Sequence, residues 1–83
     1  MGFEERVSQV LMAAFPGAAV DVAFGGAERL SGHLVWNGFE RKAQMTRQRL
    51  VHRVLRKALG PDAQRISIIL TYTPREYDLM ATA

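Results

Sequence analysis

The longest periodic signal in the chain lies in residues 39–59, where Leu50, Val51, Val54, Leu55, Ala58 and Leu59 recur at helical spacing. Lys42, Arg49, Arg53 and Arg56 gather on the opposite side, with Lys57 beside them. This pattern predicts a long amphipathic helix with one face for a core and the other for water or an acidic partner. Gly60-Pro61 closes it, because glycine supplies a left-handed cap and proline cannot continue a helix. Upstream, Phe3, Val7, Val10, Leu11, Ala14 and Phe15 describe a first amphipathic helix, which Pro16-Gly17 ends. Glu4 and Glu5 fall in its first turn, where the helix dipole favours negative charge.

Between the helices the period changes to two. Val20, Val22 and Phe24 alternate with Asp21 and Ala23, which predicts a strand with one buried face. Residues 25–32 hold three glycines and are expected to form an exposed, mobile connection, but they carry no phosphate-loop motif. Residues 33–36 make a short second strand, closed by Asn37-Gly38. After the long helix, Ile66, Ile68, Leu70 and Tyr72 alternate with Ser67, Ile69, Thr71 and Thr73. Since Ile69 interrupts the polar side, this third strand is expected to be central, with its second face partly covered. Thr73, Pro74 and Glu76 then form a capping box for a short terminal helix. Tyr77 and Met80 are placed to rest on the sheet, and residues 81–83 are expected to fray. The order αββαβα predicts an α+β sandwich, a three-stranded sheet packed against two main helices, in one domain over residues 1–83.

Composition narrows the function. A length of 83 residues leaves little room for a deep catalytic cleft, and 48% hydrophobic with 23% charged residues describes a globular chain. The net charge is +3, and nine of the eleven basic residues are arginine. No cysteine is present, which removes disulfides, thiolate metal sites and a cysteine nucleophile. No apolar run is long enough to span a membrane and no signal-peptide pattern opens the chain, so a cytoplasmic protein is expected. The serines have no histidine at a spacing that recommends a nucleophile-base pair, and Glu4 and Glu5 splay apart on a helix. The sequence therefore argues against an enzyme.

Gly38-Phe39-Glu40, then Arg47-Gln48-Arg49-Leu50-Val51, then Leu70-Thr71-Tyr72-Thr73-Pro74-Arg75-Glu76 stand in an order that resembles the BolA-like family. That family has a phenylalanine-led segment, an R-H-R-x-V helix start and a closing T-P-x-E. The resemblance covers most of the chain and implies a fold similar to KH-type nucleic-acid-binding domains. It also implies partnership with monothiol glutaredoxins, including a shared two-iron, two-sulfur cluster, and in some members DNA-binding regulation. The family's main cluster ligand is a histidine just before the third strand; Arg65 stands there, and Gln48 replaces the histidine of the R-H-R segment. A guanidinium offers no lone pair, so no cofactor and no metal ligands are expected.

Two functions from different classes follow. One is a protein-interaction module that uses a sheet edge and the glycine-rich loop, with His33 near the loop's end, to meet a partner of the monothiol glutaredoxin type. The other is a DNA- or RNA-binding module that uses Lys42, Arg49, Arg53, Arg56 and Lys57. Each feature has a plainer reading: a solvated basic face, a strand histidine, and Trp36 as core or sheet cover. Arg47 points toward the apolar side of its helix and is expected to lie near the core edge or to pair with a carboxylate such as Asp21 or Glu40.

Overall fold

The computed structural model describes residues 2–82, with residue 27 by its backbone alone. The elements are α1 (Phe3–Ala14), β1 (Ala19–Phe24), β2 (Leu30–Val35), α2 (Gln44–Leu59), β3 (Ile66–Tyr72) and α3 (Pro74–Ala81). Short 3-10 turns at Gly26–Glu28, Asn37–Phe39 and Gly60–Arg65 join them. The class is α+β, as the pattern predicts: one mixed three-stranded sheet with α1 and α2 against one face. Val7 and Leu11 of α1, Val51, Leu55 and Leu59 of α2, Leu30 and Leu34 of β2, and Phe39 fill the core between the layers. Gly60 ends α2 at φ 59°, and Thr73 and Glu76 form the reciprocal capping box at the start of α3.

The sheet differs from expectation in its middle strand. The order is β1-β2-β3, so β2 is central and β3 lies at an edge. The cause is connectivity: a tight turn brings β2 back antiparallel beside β1, and the α2 crossover sets β3 parallel on β2's other side. The glycine-rich segment is correspondingly shorter than expected. Only a 3-10 turn separates β1 from β2, and the second strand begins at Leu30 rather than His33. Leu30 is fully buried and anchors that earlier start. Gly32 sits inside β2 where a Cβ would overlap the Asp21 carbonyl oxygen of β1, so the strands approach closely there.

The two faces of β3 are also exchanged. Gly32 pairs with Ile69 and Leu34 with Thr71, which places Ile69 and Thr71 on the helix-covered side. Ile68 and Leu70 consequently point to the open face and are 50% and 45% exposed. Alternation fixed two faces but not which was inward; the register with β2 decides it.

The long helix begins at Gln44, five residues after the start of its periodic segment. Arg41 takes φ 64° and breaks the helical path, while Phe39 drops fully buried into the core from a 3-10 turn. Ala58, assigned to the apolar stripe, is exposed. On α3, Tyr77 packs against Tyr72 and His33 at ring-centroid distances of 5.8 and 5.1 Å, whereas Met80 is exposed rather than resting on the sheet. Ala81 remains helical, and residue 83, the end of the expected frayed tail, lies outside the described residues.

Candidate functional site

Arg49, Arg53 and Arg56 stand at i, i+4 and i+7 on α2, so successive turns of the helix carry them along one flank. All three are exposed, and none enters an ion pair or side-chain hydrogen bond among the described residues; the ion pairs there use Arg6 and Arg47. Exposed His52 lies with them and lines the same shallow depression. The other two expected members stand apart. Lys42 precedes the helix, and Lys57 borders a separate apolar groove with Val10, Ala13, Ala14, Val54 and Ala58 between α1 and α2.

A residue that sequence reasoning missed joins the cluster. Arg29, in the turn before β2, donates from Nη2 to the Ile66 carbonyl oxygen at 3.3 Å. It lines a groove of about 800 Å³ with His52, Arg56, Pro61, Ala63 and Ile66. Nothing local marks Arg29, because what brings it to Arg56 is the parallel pairing of β2 with β3.

Arg47 is a structural residue. Its side chain is 6% exposed, and the guanidinium donates to Glu76 from Nη1 at 2.6 Å and Nη2 at 3.2 Å, to the Lys42 carbonyl from Nε at 2.8 Å, and to the Thr71 carbonyl from Nη1 at 3.5 Å. The partner is thus Glu76, rather than Asp21 or Glu40. Bidentate pairing with Arg47 and a hydrogen bond from the Thr73 amide lower the Glu76 pKa from 4.5 to about 2. Gln48 donates to the Ile69 carbonyl at 2.9 Å, and the Thr71 hydroxyl donates to Gln44 Oε1 at 2.8 Å. These side chains tie α2 to the outer edge of β3.

Arg65 stands where the resemblance implies a cluster ligand. The Arg65 guanidinium carbon lies 4.2 Å from the Phe3 ring centroid and 5.7 Å from that of Phe24, a cation-π clamp that gives it a structural role. An always-protonated guanidinium cannot coordinate iron, so the residues present do not fit a shared cluster at that point. His33 is not in a loop: it is the fourth residue of central β2, half-buried against Tyr77. Among the described residues, no group of three or more His, Cys, Asp or Glu could hold a metal ion, and no helix is long and apolar enough to cross a membrane. Trp36 covers the core end, edge-on to Phe15 at 5.0 Å and Phe39 at 5.2 Å, with its Nε1 donating to the Pro16 carbonyl.

A mixed three-stranded sheet with two helices on one face, closed by a capped third helix, is a BolA-like fold, and solved structures bear this out. The chain is similar to a BolA protein homologue from Coxiella burnetii, with a TM-score of 0.72, 25% identity, and 94% of this chain and 99% of that one covered. It is also similar to a bol-like protein from Babesia bovis, with a TM-score of 0.70, 21% identity, and 98% and 95% covered. A third likeness is to the BolA domain of SufE1 from Arabidopsis thaliana, with a TM-score of 0.65, 20% identity, and 92% and 98% covered. No family model and no curated protein sequence matches the chain.

Proposed function

We propose that this chain is a non-enzymatic BolA-like adaptor that binds a protein partner of the monothiol glutaredoxin type without sharing an iron-sulfur cluster with it. The observation that carries the reading is the exposure of Ile68 and Leu70, two large aliphatic side chains side by side on the open face of edge strand β3. Apolar groups left in water on the uncovered face of a sheet favour association with another protein surface. The clamped Arg65 argues against the cluster-sharing form of that association.

The test mixes the protein with a monothiol glutaredoxin carrying a reconstituted cluster and follows complex size and visible circular dichroism. A complex that Leu70→Glu abolishes, with a spectrum unchanged by the native chain but altered by Arg65→His, supports the proposal. A spectrum altered by the native chain and restored by His33→Ala overturns the cluster-free reading, and a complex indifferent to Leu70→Glu overturns the surface.

A second reading rests on Arg49, Arg53 and Arg56, three exposed cations without an ion pair among the described residues, on one flank of α2: a nucleic-acid-binding domain. Unpaired arginines in a row are suited to phosphates, and each contact releases counterions, so binding falls steeply with salt.

A further inference from the structure

The basic flank of α2 borders a recess, and the shape of that recess bears on the kind of nucleic acid the second reading would take. Arg56 and His52 reach its rim from α2, Arg29 from the turn before β2, and Pro61, Ala63 and Ile66 give it an apolar lining. The recess continues along the seam of α2 and β3, where His52, Ala63 and Ile66 recur beside Gln48 and Ile68. At a rise of about 1.5 Å per residue, Arg49 to Arg56 extends the cationic border by about 10 Å.

We propose that this groove binds single-stranded nucleic acid, an inference that rests on the nucleic-acid reading. Two physical features select a single strand over a duplex. First, the cations come from different elements and converge on a concavity; reading a duplex calls instead for a convex element that enters the major groove. Second, the lining beneath the cations is aliphatic. A base can lie on Pro61, Ala63 and Ile66 only when it is unstacked from its neighbours, which a single strand allows and a duplex does not. Phosphates pair with Arg29, Arg53 and Arg56, and the guanidinium planes offer further surface for base stacking. Gln64 is the one uncharged amide beside the cations and His52 in the groove's lining, too little to read a base sequence, so binding is tolerant of sequence and dominated by salt.

The experiment measures anisotropy of a labelled single strand of about 12 nucleotides, and of the duplex of the same sequence, at about 50 mM salt. The single strand is expected to bind at least about tenfold more tightly than the duplex. Arg29→Ala and Arg56→Ala are each expected to weaken it about fivefold or more, with Lys42→Ala, outside the groove, without effect. Arg29 bonds to Ile66, so each variant is melted first; Arg56 has no side-chain hydrogen bond or ion pair among the described residues, and Arg56→Ala keeps the test decisive if Arg29→Ala unfolds. Duplex binding as tight as single-strand binding, or an equal loss in Lys42→Ala, overturns the groove while leaving the nucleic-acid reading standing. No binding of either form overturns both.

Discussion

Replacing Glu76 by glutamine isolates the link that joins α2, β3 and α3. The carboxylate accepts two hydrogen bonds from Arg47 and one from the Thr73 amide, while the Thr73 hydroxyl accepts from the Glu76 amide. Its two ends sit in different surroundings: the Arg47 side chain is 6% exposed and the Glu76 side chain 43%. A fully buried pair that loses one partner forfeits about 3–5 kcal/mol and an exposed pair about 0–1. With one end buried and the other open to water, Glu76→Gln is expected to cost about 1–2 kcal/mol at pH 7, because a neutral amide keeps an acceptor but leaves Arg47 without a counter-charge. The pH dependence gives the sharper signature. Glu76 has its folded pKa lowered to about 2 from 4.5, so its stabilisation is fully present above 4.5 and is lost as pH falls toward 2. Denaturant unfolding from pH 7 to 2.5 should show the native chain and Glu76→Gln converging below about pH 4.5, the other carboxylates titrating alike in both. Curves that stay parallel through that range would refute the pairing.

Three further outcomes are expected. Leu55→Ala removes a side chain that is 4% exposed between Val51 and Leu59 in the buried stripe of α2 and should cost about 2–5 kcal/mol, seen as a lowered denaturant midpoint with unchanged slope. Gly32→Ala drives a methyl group into the β1 backbone and should cost about 1–3 kcal/mol, with amide exchange rising first along the β1–β2 pairing. If the α2 flank meets phosphates, log affinity should fall with log salt at a slope of about −2 to −3, and Arg53→Ala should flatten that slope by about one. A slope unchanged by the substitution would remove Arg53 from the contact.

Local chemistry settled much of this protein from the sequence alone. The helix ends at Gly60-Pro61 and at Thr73-Pro74 follow from backbone conformations that these residues impose or cap within a few positions, whatever the rest of the chain does. The inward face of α2 at Val51, Leu55 and Leu59 follows likewise from a period that only one helical face can satisfy. Alternation in β3 could not say which face was inward, since Ile68 and Leu70 are as apolar as Ile69; pairing with β2 decides it, through a register set by residues far away in sequence. The same pairing makes β2 central and brings Arg29 across to Arg56, so the basic cluster combines a helical stripe legible in the sequence with a residue that only the sheet could supply. Arg47 shows the division within one side chain: its spacing marked it as turned toward the core, but its partner lies 29 residues on, and only the placement of α3's first turn at the end of β3 makes Glu76 the counter-charge that lets an arginine be buried there.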